Sequence, residues 1–201
     1  NNIKNVFQDA ILSSKPIGGV IHFAGKKSVN ESIHSPFEYW ETNFVGTMNL
    51  IKVMNKYNCY NLIFSSSASV YGADSRSPID EDALIAPENP YGNTKAAIEK
   101  FLEDIFKSNP NLWRIALLRY FNPIGSHPTG LIGEEPLLES TNIFPKICEV
   151  ALNKKKVFYI YGNSWPTNDG TCIRDYIHIM DLVDGHILAY EYLLSNEPKI
   201  I

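Results

Sequence analysis

Asn61-Leu62-Ile63-Phe64-Ser65-Ser66-Ser67 and, after a loop, Pro90-Tyr91-Gly92-Asn93-Thr94-Lys95 bound the stretch that decides how this chain reads. The first run is short, apolar and ended by small polar residues, as expected of a strand buried on both faces of a parallel sheet. The second opens a helix predicted over 90–108, with proline tolerated in its first turn. Tyr91 and Lys95 then share one helix face, with Cβ atoms roughly 5–6 Å apart. A phenol normally titrates near pH ~10. A neighbouring ammonium favours the phenolate, and a base works best with its pKa near the working pH. Ser67, at the carboxyl end of the strand, can complete a proton relay with Tyr91. The pair is weak evidence alone, because a chain with 11 Tyr and 14 Lys is expected to contain about one Tyr-x-x-x-Lys by chance.

Outward from that stretch, the pattern is α/β. Residues 19–23 form an apolar run ending at Ala24-Gly25 and predict a buried strand entering a glycine turn, and 114–120 predict a third strand. A short helix is expected over 5–15. A long one is expected over 36–57, with Phe37, Trp40, Phe44, Met48, Ile51 and Met54 on its buried side. Strand, helix, strand, helix, strand with right-handed crossovers gives a doubly wound parallel sheet, whose ligands bind beyond the carboxyl ends of the strands. Gly25, Ser65–Ser67 and Asn122 all fall there. No Gly-x-Gly-x-x-Gly loop is present in the sequence, so the first strand, glycine-rich loop and first helix are expected upstream of Asn1, with both ends cut from a longer protein. From Phe121 the pattern breaks: 71–89 and 125–141 read as loops, 143–152 as a helix, 157–161 as a strand and 181–194 as a final helix. The expected organisation is a partial dinucleotide-binding domain over 1–122 and a smaller mixed α/β lobe over 123–201, its last helix returning to the first domain.

Composition narrows the function classes. The chain has 201 residues, 44% hydrophobic and 20% charged, with net charge −4, which suits a globular protein rather than a nucleic-acid binder. Its one basic run, Lys154-Lys155-Lys156, follows a helix end, where cations suit the helix dipole. Three scattered cysteines (Cys59, Cys148, Cys172) without C-x-x-C suggest a reduced cytoplasmic protein and no metal site. No apolar run in the sequence is long enough to cross a bilayer.

Taken together, several blocks closely resemble the extended short-chain dehydrogenase/reductase family, and within it the sugar-nucleotide 4-epimerases. They are His22-Phe23-Ala24-Gly25-Lys26-Lys27-Ser28-Val29, Asn43-Phe44-Val45-Gly46-Thr47, Phe64 to Gly72, Asn89 to Lys95, Leu117 to Pro123, Pro166 to Thr171 and Arg174 to Leu182. Any one block is weak; their order and spacing are specific. Dehydratases of the family carry a Thr-Asp-Glu type acid group where this chain has Ser65-Ser66-Ser67, which points to epimerisation without loss of water.

The resemblance implies a Rossmann-type fold, tightly held NAD and a UDP-sugar substrate oxidised transiently at C4. It implies Tyr91 as base, with Ser67 and Lys95 beside it. Phe23, Ala24, Gly25, Lys27, Asn43, Ser65, Tyr91, Lys95 and Tyr120 would line the NAD site. Lys27, Ser67, Tyr91, Phe121, Asn122, Asn142, Tyr159, Tyr161 and Arg174 would hold the UDP-sugar, Arg174 through two hydrogen bonds to pyrophosphate. It also implies a homodimer formed through the two long helices, 36–57 and 90–108.

Plainer readings stand beside these roles. Asn122 before Pro123 could cap a turn. Lys27 could be a solvated lysine, and one of Tyr159 and Tyr161 a core residue. Ser65 could serve only in backbone hydrogen bonds. His22 reads as a satisfied core histidine. The competing functions are an epimerase for UDP-glucuronate, a UDP-pentose or UDP-N-acetylglucosamine, and a non-catalytic module that keeps the fold.

Overall fold

The computed structural model describes residues 2–72, 77–134 and 142–201, so the expected loops over 71–89 and 125–141 lie partly outside the described residues. The chain forms two units: Asn1–Tyr120 with Gly185–Ile201, and Phe121–Asp184.

In the first unit, strands β1 (Val20–His22), β2 (Asn61–Ser65) and β3 (Arg114–Leu118) form a parallel sheet in the order β1-β2-β3. The register sets Val20 beside Leu62, and Leu62 beside Ile115. This gives the central run its two-sided burial. Leu62 and Phe64 face one core with Leu50, Met54, Ile98, Leu102 and Trp113, while Ile63 faces a second with Ala116 and Leu193. Helices cover both faces: α1 (Asn2–Leu12), α4 (Gly46–Lys56) and α5 (Pro90–Ser108) contribute to the first core, and α7 (Ile179–Ser195) to the second. Lys199–Ile201 adds to the free side of β3 through main-chain hydrogen bonds, Ile115 N to Lys199 O at 2.9 Å and Leu117 N to Ile201 O at 2.8 Å.

β2 and α5 have the predicted bounds. Helix α1 starts and ends about three residues early; Ser14, at φ 55°, takes the left-handed conformation that ends a helix. The helix expected over 36–57 is continuous but not uniform. Its first turn, α3 (Pro36–Tyr39), opens into a π-helical turn over Trp40–Val45 before α4 begins. The wider turn breaks the 3.6-residue period, so the expected buried face is wrong at its start. Phe37 is 89% exposed and Tyr39, Asn43 and Thr47 point inward instead, while Ile51 and Met54 are buried as expected, with Leu50 beside them. A short helix α2 (Val29–His34) was not foreseen, although Ser28-Val29-Asn30-Glu31 carries a cap signature: the Ser28 hydroxyl accepts from the Glu31 amide at 3.2 Å.

In the second unit, β4 (Asn122–Ile124) pairs in parallel with β5 (Tyr176–His178), and α6 spans Ile143–Ala151. The strand expected over 157–161 does not form. Alternating aromatic residues suit a strand but do not supply the neighbouring edge that completes its hydrogen bonds. Tyr159 and Tyr161 are 67% and 86% exposed, so neither is the core residue expected.

Candidate active site

The amino end of α5 is built to approach the chain after β2. The Asn89 side chain caps the helix by accepting from the Gly92 amide at 2.9 Å, and Pro90 occupies its first turn. Gly92 is required by contact: a Cβ there would overlap the Ser69 carbonyl oxygen and lie 2.9 Å from Pro87 Cβ. With no side chain at 92, Tyr91 comes up against the Ser65–Ser67 turn.

All three serines lie against α5. The Ser67 hydroxyl lies near the Tyr91 hydroxyl and favours its phenolate. Lys95, only 6% exposed, donates from Nζ to the Ser65 carbonyl at 2.7 Å. The Ser66 hydroxyl donates to the buried Glu99 carboxylate. The Ser65 hydroxyl pairs with the Tyr120 hydroxyl, joining the end of β2 to a residue two beyond β3. Tyr91, Lys95, Ser67, Ser65 and Tyr120 are thus brought together at the carboxyl ends of the strands.

The electrostatics correct the argument from spacing. Lys95 lies beside Tyr91, its Nζ 5.8 Å from the ring centroid, but it does not bring the phenol into the neutral range. Burial raises the Tyr91 pKa, opposed by the Ser67 hydroxyl, and Tyr120 raises it further. Burial lowers the Lys95 pKa to about 8, with the Glu99 carboxylate pulling it back up. The i,i+4 spacing correctly puts cation and phenol side by side; desolvation, which spacing cannot report, decides the sign. In the chain by itself burial disfavours the charged form of both groups, although Lys95 remains mainly an ammonium below pH 8.

At the end of β1, Phe23, Ala24, Gly25 and Lys27 are exposed, as a surface receiving a ligand requires. Asn43 lies beneath them in the π-helical turn and is 2% exposed. It accepts from the Lys26 amide at 2.8 Å and donates to the Lys26 carbonyl at 3.0 Å and to the Thr94 hydroxyl at 3.2 Å. Thr94 in turn donates to the Tyr91 carbonyl at 2.7 Å. Asn43 therefore joins the turn after β1 to the helix that carries Tyr91. A Cβ on Gly25 would stand 3.0 Å from Asn43 Oδ1, so glycine keeps this backbone close and open. His22 is the satisfied core histidine expected, its Nε2 2.8 Å from the Thr47 hydroxyl.

Four residues that hold this arrangement were not singled out by sequence: Thr94, Glu99, Arg119 and His186. Glu99 was legible in principle, because it continues the four-residue series Tyr91, Lys95. His186, whose ring is 4.7 Å from Phe23 and 5.7 Å from Tyr120, reaches the site only through the return of α7, which no local pattern announces.

In the second unit, the Asn122 side chain donates to the Asp175 carbonyl at 2.8 Å, and the β4–β5 register sets Asn122 against Tyr176. Arg174, exposed, lies just ahead of that pairing, so Asn122 and Arg174 come to one end of the strand pair. Asn142, also exposed, donates to Glu134 at 2.7 Å. Phe121 is 40% exposed. The Tyr159 and Tyr161 rings lie 6.4 Å apart, and Lys146 Nζ sits 5.8 Å from the Tyr161 ring.

Known proteins resemble this chain along nearly its whole length. The family model described as "NAD dependent epimerase/dehydratase family" matches residues 4–201. A "Bifunctional UDP-glucose 4-epimerase and UDP-xylose 4-epimerase 1" of Pisum sativum is 47% identical over 189 residues, covering 94% of this chain and 54% of that protein. A UDP-glucose 4-epimerase of Bacillus subtilis is 45% identical over 188 residues, covering 94% of this chain and 55% of that protein. The crystal structure of UDP-glucose 4-epimerase from Bifidobacterium longum in complex with NAD+ and UDP superposes with a TM-score of 0.90 at 39% identity, over 99% of this chain and 59% of that one. The chain thus spans about half the length of the curated relatives it matches.

Proposed function

The chain belongs to the NAD dependent epimerase/dehydratase family, and on that premise we propose that it is the core of a UDP-sugar 4-epimerase that interconverts UDP-glucose and UDP-galactose with bound NAD. The observation that carries this reading is the meeting of Ser67, Tyr91 and Lys95 at the strand ends of a Rossmann-type sheet. NAD, when bound, supplies the acceptor and donor of a hydride at sugar C4. The residues fit such a cofactor. The exposed turn Phe23–Gly25 lies on the rigid Asn43 support, and Lys27, Ser65, Lys95 and Tyr120 surround the same strand ends.

The Tyr91 phenolate takes the proton of the sugar 4-hydroxyl, with Ser67 relaying it, and is left as the neutral phenol. Lys95 holds a positive charge within reach of Tyr91. Because burial and, after it, Tyr120 raise the Tyr91 pKa, a positive charge besides Lys95 is needed for Tyr91 to act as a base, and a bound cofactor would supply it. We assign NAD to the first unit and the UDP-sugar to Ser67, Tyr91 and Lys27 together with Phe121, Asn122, Asn142, Tyr159, Tyr161 and Arg174. Arg174 is the pyrophosphate ligand.

A UDP-pentose is a second candidate substrate, favoured by the UDP-xylose activity in the name of the Pisum sativum relative. A homodimer is the proposed assembly, supported by the edge-to-face ladder Trp40–Phe44–Phe101 along the two long helices and by Phe37, which is 89% exposed. A reduced cytoplasmic setting suits the three free cysteines. Among the described residues no helix is long and apolar enough to cross a membrane.

The test is turnover of UDP-glucose, UDP-galactose and UDP-xylose by the full-length protein and by Tyr91→Phe. A loss of about 10²–10⁴-fold in kcat is expected from removing a general base. Parental turnover in Tyr91→Phe would refute the mechanism, and a substrate panel with no 4-epimerisation would refute the function.

A further inference from the structure

We propose that Glu99, clamped by Arg119, is a positioning residue that locks the Ser65–Ser67 turn in the register bringing Ser67 onto Tyr91 and the Ser65 carbonyl onto Lys95. Its catalytic arm rests on the function proposed above. Tyr91, Lys95 and Glu99 follow one another at four-residue steps along one face of α5; Lys95 and Glu99 each hold one serine of the turn by a hydrogen bond, and Ser67 lies near Tyr91. Ser66 is the middle one. It is 1% exposed, and its hydroxyl is anchored to the Glu99 carboxylate. Two amides of the turn are held by the end of β3 and by Tyr120 two residues beyond it: Ser66 N donates to Leu118 O at 2.9 Å and Ala68 N to Tyr120 O at 3.1 Å.

Arg119 grips the carboxylate as a fork, with Nε 3.0 and 3.1 Å from its two oxygens and Nη2 2.7 Å from Oε2. Its remaining Nη1 donates to the Tyr71 hydroxyl at 3.1 Å and to the Glu81 carbonyl at 3.0 Å, so the loop after the turn is held by the same guanidinium. Glu99 is 4% exposed, in a helix whose neighbouring inward positions are Ile98 and Leu102. Packing alone would be served there by another aliphatic side chain, since buried ion pairs are weak sources of stability. What a carboxylate adds is direction: it accepts from one hydroxyl and one guanidinium at defined angles. The Glu99 charge also favours the ammonium form of Lys95 one turn away.

The test compares the full-length protein with Glu99→Gln and with the double variant Glu99→Met/Arg119→Met, in which both charges are replaced by apolar side chains of similar length. Two readouts are taken: steady-state turnover of UDP-galactose, and amide hydrogen exchange over residues 65–71. The double variant is expected to melt near the parent, while kcat falls at least about tenfold with KM within about threefold, the pattern of a misplaced catalytic group. The Ser66 and Ala68 amides are expected to exchange about tenfold faster in both variants, with no change in the strand amides of β1. If a parent-like melting temperature brings back parental kcat and parental protection of the turn, the pair is only structural and the proposal falls. If the parent itself shows no epimerisation, the proposed function fails separately, and faster or unchanged exchange at Ser66 and Ala68 still decides the positioning role.

Discussion

Gly92→Ala is the substitution with the largest expected effect for the smallest chemical change. In an ordinary helix interior, alanine is preferred over glycine by up to about 1 kcal/mol. At residue 92 the added Cβ overlaps the Ser69 carbonyl oxygen and sits 2.9 Å from Pro87 Cβ, against a comfortable carbon–carbon separation of about 3.5–4.0 Å. One neighbour is backbone and the other a proline ring carbon, so neither can rotate away. The amino end of α5 must retreat by the better part of an ångström. Overpacking of this kind destabilises by about 1–3 kcal/mol, which outweighs the gain in helix propensity. The retreat also separates Tyr91, the adjacent residue, from Ser67, two residues before Ser69. A displacement near 1 Å at a reacting group lowers the rate by about 10²-fold. Denaturant unfolding and UDP-galactose turnover of the variant measure both effects. Gly185→Ala is the control. It lies within α7, and its added Cβ would meet no atom within 4 Å, so stability should rise by up to about 1 kcal/mol with turnover unchanged. A Gly92→Ala protein with parental stability and parental kcat would refute the close-approach argument.

Two further expectations concern pH. Burial, and secondarily the Lys95 charge, lower the His22 pKa from 6.5 to about 4, so the folded state holds the neutral ring. That contribution is fully present above pH 6.5 and lost as pH falls toward 4. At about 1.4 kcal/mol per pH unit it amounts to roughly 3 kcal/mol at most. Urea midpoints from pH 7 to 4 should fall in the parent and fall less in His22→Gln; parallel curves would contradict the burial argument. Lys95 acts with the same sign in a higher window. Its folded pKa of about 8 lies below the ordinary 10.5, so the fold strains against the ammonium below pH 8 and is relieved as pH rises from 8 to 10.5. The stability difference between parent and Lys95→Met should therefore shift in the parent's favour across that interval, and a flat difference would mean that Lys95 is not desolvated.

Much of the site was legible in the chain because its chemistry is local. The serines at the end of the central strand, the proline at 90 and the four-residue step from Tyr91 to Lys95 are short-range patterns, and each reappears in the structure. The central strand was equally readable, since a continuous apolar run such as 61–65 can be satisfied only between two packed faces. Expectations failed where a pattern had to be carried across an irregularity or completed by a distant partner. The π-helical turn at Trp40–Val45 rotated Phe37 out and Asn43 in. Residues 157–161 alternate correctly but lack an edge to pair with, while Asn122–Ile124 and Tyr176–His178, more than 50 residues apart, find each other.

Sequence spacing settled which side chains could be neighbours: Tyr91, Lys95 and the unremarked Glu99 lie on one helix face by the geometry of 3.6 residues per turn. Only tertiary structure settled their charge states and their partners. Whether Lys95 lowers the pKa of Tyr91 or is itself lowered depends on how much water is excluded around both, and burial is a property of the assembled sheet and helices. The same holds for Arg119 on Glu99 and His186 between Phe23 and Tyr120. Those contacts join segments 20 to 160 residues apart, and chain closure over such distances is determined by packing rather than by any local pattern.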